Sequence, residues 1–455
     1  MYRANIHLPR DKVYLLAGLL GSLGILTLAF GFAYMARGSA AKITYFQVWS
    51  WVFLLCLIGI GRGTALSRTQ PSGSVDLPDW VTQVVTAVVL LSSFYFWLPL
   101  RIAVPAAIVT VAACAGLHWL RRERACIPFL LVAGFVLCSY LIITIPLNRA
   151  AADMLPLMAD ANNFLLSGHD PYAQQYSNLF FYLPVQWLVY LPPVAAGVDI
   201  RVVNLACFAV VGFLGVWLVR SGRLDKVALL GLCPIMLSRA SVEMMIRGQV
   251  WPLWALTVGF AATLLSPGKF WPAVLLGLLL ATQQPTVVIA VLLGVWLLFH
   301  RGFASAFWVT VVTTAVFAVI VAPWLAMHPA LLSNLYIGIQ DTIAHNRATD
   351  HSWDVVEVSL QNLLISLGLF SIRSALQAAA IAAGMLYLAA FRNIRLGTFL
   401  CTAGLVYMVA ISLNIQVFKH YYYPGLLLLA IGIAIPANTT GIGGKRAPLR
   451  LAART

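Results

Sequence analysis

Charged residues are scarce in this sequence: they make up 9% of its 455 residues, whereas hydrophobic residues make up 61%. Because a soluble domain carries roughly a quarter charged residues, this composition excludes an ordinary soluble globular protein. Alternating strands of about ten residues, which would indicate an outer-membrane barrel, are also missing. Instead, apolar runs of about 20 residues recur along the chain, and they predict an all-α polytopic membrane protein.

Cysteine is sparse as well, and none of the seven cysteines is spaced as a metal-binding or redox pair. We interpret them as small hydrophobic side chains in or beside the apolar spans: Cys56, Cys114, Cys126, Cys138, Cys207, Cys233 and Cys401. The formal net charge of +15 comes from Lys and Arg in short connections, which is typical of the cytoplasmic side of a membrane protein. We therefore predict no nucleic-acid partner.

Fourteen apolar spans are predicted, and their alternation places every basic connection on the cytoplasmic side, together with both termini. The N-terminal apolar run lacks a clear cleavage site, so we interpret it as a first spanning helix rather than a signal peptide. The predicted spans are residues 14–35, 43–61, 80–98, 102–119, 127–146, 202–220, 225–238, 250–266, 270–282, 285–299, 304–325, 374–391, 397–414 and 421–436.

The opposite, outer side carries two long loops, residues 147–200 and residues 326–373. Nine of the fourteen acidic residues and five of the eight histidines fall on this side. Because Asp and Glu have little influence on topology, their gathering is not a by-product of the positive-inside rule. Long loops of this kind often carry function, so we expect the chemistry at the outer face.

The stretch ADMLPLMADANNFLLSGHDPY, residues 152–172, concentrates polar residues in the first outer loop. Asp153 is a candidate N-cap of a short helix along the membrane surface, and Gly168 is a natural stop for it. Helix capping alone could explain Asp153, but a helix N-terminus also keeps a carboxylate ionised, as a general base must be. Asp170, which precedes a proline, is most simply a turn residue.

Several segments together resemble the GT-C glycosyltransferases, and in particular the bacterial membrane mannosyltransferases that use polyprenyl-phosphate sugars. The segments are LLSGHDPY and YLPVQWLVYLPP in the first outer loop, IRGQVWPL with the paired helices that follow it, and QVFKHYYYPGLLLLA near the C-terminus. The resemblance covers residues 127–436. It leaves unexplained the four helices within residues 1–126, and it stops before a basic cytoplasmic tail, residues 437–455.

The resemblance implies an inverting enzyme that moves a sugar, with mannose favoured, from a polyprenyl-phosphate carrier to a glycolipid or cell-envelope glycan. It would work at the extracytoplasmic face of a bacterial inner membrane and contact membrane lipid. Asp153 would be the catalytic base. Arg239 is a further candidate donor to the leaving phosphate. The implied donor-binding residues are Arg247, Gln249, His345, Arg347, His351, Lys419 and His420, and the acceptor-binding or supporting residues are Asp160, His169, Tyr172, Tyr182 and Glu243.

Three alternatives remain open from the residues. Lys419 and the tyrosines after it could be membrane anchors. The segment HNRATDHSWD could hold a divalent cation, although its spacing matches no known metal signature, or it could form a lid; no cofactor is firmly predicted. The chain could also be a transporter or flippase, because Gln283 and Gln284, which stand where the family often has a lysine, precede a proline that could break a helix.

Overall fold

A computed structural model describes residues 79–147, 154–172, 182–266, 268–329, 331, 370–391, 394–413 and 419–436. Every regular element within these ranges is helical, and none of them is a strand. The first eight α-helices are α1 (Asp79–Trp97), α2 (Leu100–Trp119), α3 (Cys126–Thr144), α4 (Met154–Leu166), α5 (Pro184–Leu188), α6 (Leu191–Ala195), α7 (Val202–Arg220) and α8 (Val227–Leu237). The other eight are α9 (Arg239–Arg247), α10 (Trp251–Leu264), α11 (Phe270–Leu280), α12 (Val287–His300), α13 (Phe303–Met327), α14 (Arg373–Ala390), α15 (Leu396–Ser412) and α16 (Tyr423–Ala434).

Six of the described helices are long and apolar enough to cross a membrane, and the bent pair α8–α9 makes up to seven. Five shorter apolar helices, α10, α11, α12, α15 and α16, pack among them. The fold is therefore that of an all-α polytopic membrane protein, as predicted. Each predicted span from 80–98 onwards coincides with a described helix, whereas 14–35 and 43–61 lie outside the described residues. The total of fourteen spans stays a prediction.

Large apolar side chains on the surface of the long helices are consistent with a membrane environment. Ile108 in α2, Phe213 in α7 and Val319 in α13 are 63%, 68% and 74% exposed although each lies well inside its helix. Water would make such exposure unfavourable at roughly 25 cal/mol for each Å² of apolar surface. Lipid removes this cost because its tails are as apolar as these side chains.

The helices α15 and α16 pack so closely that their contact depends on glycine. A Cβ atom on Gly404 would lie 2.5 Å from the carbonyl oxygen of Gly425 on the facing helix. A Cβ atom on Gly425 would in turn lie 2.5 Å from Cγ of Met408. Small residues allow such close approach, and in lipid this packing replaces the hydrophobic effect as the force that joins helices.

The described contacts separate the bundle into two ends with different composition. We call one end of the bundle the α4 end. Three helices end there, namely α3, α8 and α13, and three begin there, namely α7, α10 and α16. At the opposite end the backbone N–H of Asp225 donates to Ala434 at 2.8 Å, and Arg223 donates to Ser266 at 3.1 Å. The described basic connections lie at this opposite end, whereas α4 to α6 and α9 lie at the α4 end.

We expect Gly404→Ala to destabilise the protein by about 1–3 kcal/mol, because the new methyl group meets a backbone oxygen that cannot rotate away. The matched control is Gly294→Ala in α12, where nothing lies within 4 Å of the added methyl group. Thermal unfolding of both variants in detergent measures the difference. Equal melting temperatures for the two variants would show that the α15–α16 contact tolerates a side chain.

Candidate active site

Helix α4 is the polar helix that the sequence predicts in the first outer loop. It begins at Met154, the residue after Asp153, and Asp153 itself lies outside the described residues. Its stop at Gly168 is confirmed: Gly168 has φ +75°, and the N–H of His169 donates to the carbonyl of Phe164 at 2.9 Å. This is the usual glycine termination of a helix, since a left-handed residue lets the chain turn back onto its last carbonyls.

The buried face of α4 anchors it to the short helices α5 and α6. Leu155 and Met158 are fully buried there, and Nδ2 of the buried Asn162 donates to the carbonyl of Trp187 at 2.8 Å. Asp160 lies on the exposed face, and partial burial of its carboxyl group raises its pKa above the ordinary value. The side chain of His169 is exposed. The carboxyl group of Asp160 and the imidazole group of His169 therefore lie on the exposed side of this segment, opposite its buried face.

Tyr172 and Tyr182 pack with this buried face. The hydroxyl of Tyr172 donates to the carbonyl of Tyr182 at 2.8 Å and accepts a hydrogen bond from Nε1 of Trp187 at 3.0 Å. Burial raises the pKa of Tyr172, so its hydroxyl stays protonated and keeps donating. Both tyrosines are 7% exposed. Their described contacts hold the loop together, and their predicted role towards an acceptor stays a prediction.

A second contact ties the first outer loop to the end of α13. The carboxylate of Asp170 accepts the N–H of Tyr172 at 2.9 Å, which is the predicted turn, and its other oxygen pairs with His328. The rings of Trp187 and Trp324 lie 5.0 Å apart, edge to face. His328 is the residue after α13, at the start of the second long outer loop. Residues 170–172, which follow α4, are thus joined to the end of α13.

Helix α9 carries a row of charges at the same end. The chain bends by 52° between α8 and α9, where Oγ of Ser238 accepts the N–H of Ser241 as an N-cap. Arg239, Glu243 and Arg247 recur at intervals of four residues, so they share one side of α9. The guanidinium group of Arg239 lies 3.1 Å from the ring centroid of Phe96, and Arg247 pairs with Glu243 at 3.5 Å.

The position of α9 in the bundle brings these charges near the other predicted segments. Helix α9 packs against α1, against α3 and against the turn Lys419–Tyr422. The chain enters the first outer loop directly after α3, so this packing sets α9 beside the start of the loop that leads to Asp153. Lys419 and His420 lie in the Lys419–Tyr422 turn, and the structure describes only their backbone.

The Gly248–Gln249 segment after α9 is held by amide side chains from two other elements. Nδ2 of Asn204 donates to the carbonyls of Met245 and Gly248 at 3.1 Å and 2.8 Å, and Oδ1 of Asn204 accepts the hydroxyl of Tyr190 at 2.7 Å. Nε2 of Gln186 donates to the carbonyl of Gln249 at 2.7 Å. Gln186 and Asn204 were not among the predicted site residues, although each is a lone amide within an apolar run.

The ATQQP segment meets the first outer loop as well. The N–H of Val185 donates to the carbonyl of Ala281 at 3.0 Å, so α5 touches the end of α11. Gln283 is 4% exposed and points into the protein, whereas Gln284 is exposed. Of the two neutral amides that stand where the family often has a lysine, Gln283 is therefore buried and Gln284, which directly precedes Pro285, is exposed.

Arg201 fixes the end of α3, from which the loop towards Asp153 departs. Its guanidinium group donates to the carbonyls of Ile145 and Ile142 at 2.7 Å and 2.9 Å, and its Nε donates to Asp199 at 2.9 Å. Arg201 is 1% exposed. A buried guanidinium group needs such a full set of acceptors, which here are the last carbonyls of a helix and a carboxylate. Sequence reasoning did not single out Arg201.

The remaining predicted residues lie outside the described part of the chain. They are His345, Arg347 and His351, and the alternative cation site in HNRATDHSWD lies there too. Within the described ranges, no group of three His, Cys, Asp or Glu side chains could hold a metal ion. All six described cysteines are free thiols, and three of them, Cys126, Cys138 and Cys233, are buried.

The described residues define the class of the protein: an all-α polytopic membrane protein that gathers charged and amide side chains at one end of its helix bundle. Residues 178–412 match the family described as Glycosyltransferase family 87, a stretch of more than half of the chain. The protein therefore belongs to glycosyltransferase family 87, a membrane family of the GT-C type. No curated protein and no solved structure matches the chain.

Family membership confirms the predicted GT-C glycosyltransferase and decides against the transporter alternative. The matched residues contain α5 to α15, with Glu243, Arg247 and Gln249 among them. They begin after α4 and Asp153. The assignment of the catalytic base thus rests on the resemblance of the first outer loop and stays a prediction.

We expect Tyr190→Phe to destabilise the protein by about 1–3 kcal/mol, because Oδ1 of Asn204 would lose its donor inside the protein. Tyr190 and Asn204 are both 0% exposed, so water does not replace the lost hydroxyl group. Thermal unfolding in detergent measures the effect, with Tyr95→Phe, a tyrosine that is 73% exposed, as the matched control. Unchanged melting for Tyr190→Phe would contradict this account of Asn204.

Proposed function

We propose that the protein is an inverting glycosyltransferase with a polyprenyl-phosphate sugar as donor and mannose as the favoured sugar. The acceptor is a hydroxyl group on a glycolipid or a cell-envelope glycan. Membership in glycosyltransferase family 87 supports sugar transfer, and the membrane-spanning helices suit a donor whose tail is a long hydrocarbon. The resemblance of the polar outer segments to the polyprenyl-phosphate mannosyltransferases supports the choice of carrier and sugar.

The charged row on α9, formed by Arg239, Glu243 and Arg247, is the observation that supports a lipid phosphate as the donor. Arg239 is exposed and Arg247 is 37% exposed, and both belong to a helix that bends away from a fully apolar span. A lipid phosphate at the edge of the bilayer would meet these guanidinium groups while its tail lies against the apolar helices. Guanidinium groups suit this task because they offer paired donors to phosphate oxygens.

In the proposed reaction the acceptor oxygen bonds to the anomeric carbon while the bond from that carbon to the phosphate oxygen breaks. The acceptor proton passes to the carboxylate of Asp153, and the electron pair of the broken bond leaves with the phosphate. Arg247, with Arg239 beside it, offsets the negative charge that grows on the phosphate. Attack from the face opposite the phosphate inverts the configuration of the anomeric carbon.

The other predicted residues complete this site. The second outer loop, through His345, Arg347 and His351, and the Lys419–Tyr422 turn, through Lys419 and His420, would add donors around the phosphate. Asp160 and His169 would line the acceptor path. Glu243 would hold Arg247 in place, since the two already pair.

We also propose that the α4 end faces the extracytoplasmic side of a bacterial inner membrane. The positive-inside rule supports this orientation, because the described basic connections lie at the opposite end. These connections include the arginines between α2 and α3 and those between α7 and α8. Both termini would then be cytoplasmic.

We expect Asp153→Asn to reduce sugar transfer by roughly 10²- to 10⁴-fold, because an amide cannot accept the proton of the acceptor. Binding of the donor lipid should remain, since an amide and a carboxylate have similar size. Transfer of radiolabelled mannose from mannosyl polyprenyl phosphate in detergent measures the effect, and Asp160→Asn, with an expected smaller loss, is the matched control. Turnover of Asp153→Asn at the wild-type rate would remove Asp153 as the base.

We expect Arg247→Gln to raise the KM for the donor lipid by roughly 10- to 100-fold, because a charge-assisted contact to phosphate contributes about 1.5–3 kcal/mol. Initial rates at varied donor concentration measure it, and Arg220→Gln at the exposed end of α7 is the control. Glu243→Gln, which removes the carboxylate that holds Arg247 in place, should raise the donor KM by less than Arg247→Gln does. A change of the acceptor KM alone in Arg247→Gln would place the arginine away from the phosphate.

A further inference from the structure

We infer that Gln186, Gln249 and Gln283 form a neutral binding site for the hydroxyl groups of the transferred sugar. This inference rests on the proposed function and assigns one part of the donor, the sugar ring, to one set of side chains. The phosphate would meet the charged row on α9, and the sugar would meet the glutamines behind it.

The first argument is that these buried amides have unmet hydrogen-bonding capacity. Gln186 and Gln249 are 0% exposed and Gln283 is 4% exposed. Among the described residues, neither side-chain atom of Gln249 has a hydrogen-bond partner, and Oε1 of Gln186 and of Gln283 has none either. A buried polar group without a partner is energetically unfavourable, so a ligand that supplies partners is favoured.

The second argument is that the three glutamines belong to one connected region. Nε2 of Gln186 donates to the backbone carbonyl of Gln249 at 2.7 Å. Val185, the neighbour of Gln186, donates to Ala281 at 3.0 Å, two residues before Gln283. Helix α5 therefore joins the segment after α9 to the segment after α11, and each of the three segments contributes one glutamine.

Two indole groups extend the same region. Trp251 and Trp254 lie in the first turn of α10, which begins two residues after Gln249, and the described part of the chain offers no acceptor to Nε1 of either ring. Their rings lie 4.7 Å apart, and Trp254 stacks on Tyr423 at 4.4 Å. The region thus holds donors, namely the two indoles and Nε2 of Gln249, together with amide oxygens that accept.

The chemistry of these groups selects a polyhydroxylated neutral ligand. A hydroxyl group both donates and accepts a hydrogen bond, so it matches a mixed set of donors and acceptors. A phosphate group offers acceptors only, and the amide oxygens of the three glutamines would repel it. None of the five side chains carries a charge. Because they are buried, binding of the sugar includes rotation of the glutamine side chains.

The test compares donors that differ only in the sugar. Wild-type protein is assayed with mannosyl, glucosyl and galactosyl polyprenyl phosphate, and polyprenyl phosphate without sugar serves as a competitor. We expect Gln249→Met and Gln283→Met to change the ratio of kcat/KM between the sugars by roughly 10- to 100-fold, since each removes contacts to particular hydroxyl groups. Inhibition by sugar-free polyprenyl phosphate should stay within about twofold.

Gln83→Met is the matched control. Gln83 is 7% exposed and lies at the opposite end of the bundle, and its amide is satisfied by contacts to Glu123 and His118 at 3.0 Å and 2.6 Å. This variant should keep the wild-type ratio between the sugars. If Gln249→Met does not fold, Gln283→Met carries the same comparison.

The outcomes separate this inference from the proposed function. An unchanged sugar ratio in both glutamine variants, or equal weakening of sugar-linked and sugar-free lipids, overturns the neutral sugar site while transfer by the wild type upholds the function. If the wild type transfers none of the sugars, the proposed function fails. In that case the neutral sugar site is tested by lipid binding alone, measured as the shift in melting temperature. Binding that favours sugar-linked lipid in the wild type and not in Gln249→Met supports it, and equal binding of both lipids overturns it.

Discussion

A backbone group that loses its helical partner inside a helix bundle must find another one, because neither lipid nor buried protein offers water in exchange. The α4 end of this protein is where helices break, bend or finish, and side chains complete them there. Arg201 covers the last carbonyls of α3, and Asn204 covers those of α9. Ser238 caps the start of α9. These bonds allow irregular backbone to exist within a membrane protein.

The need for a hydrogen-bond partner also explains why buried polar side chains without one are informative. Two buried polar side chains near the ends of α3 and α9 use their hydrogen-bonding groups on both sides or on several acceptors: Asn204 uses both ends of its amide, and Arg201 uses its guanidinium group on three acceptors. Gln249 differs, since neither atom of its amide has a partner within the described residues. Oε1 of Gln186 and of Gln283 also has no partner there, and such unsatisfied buried amides mark a place for a ligand.

Much of the fold could be predicted from the sequence because hydropathy and loop charge follow directly from transfer to lipid. A described helix coincides with each predicted span from 80–98 onwards, and helix α4 and its stop at Gly168 are present. Other features could not be predicted in this way. One is the 52° bend between α8 and α9: Ser238 caps α9, but a serine after an apolar run does not by itself predict the angle between two helices. In the sequence, Gln186 and Asn204 look like ordinary polar residues, and only their hydrogen-bond partners in the structure distinguish them.

Composition and order along the chain therefore determined the class of this protein: an all-α membrane protein whose outer segments resemble a glycosyltransferase. The membrane class depends on the free energy of single residues in lipid or water, which each residue carries by itself, whereas the resemblance depends on the order of motifs along the chain. Only the tertiary structure decided which residues meet. Gln186 reaches the Gly248–Gln249 segment across sixty-three positions, and Asp170 reaches His328 across one hundred and fifty-eight. Such pairs depend on the packing of whole helices, which no local pattern in the sequence encodes.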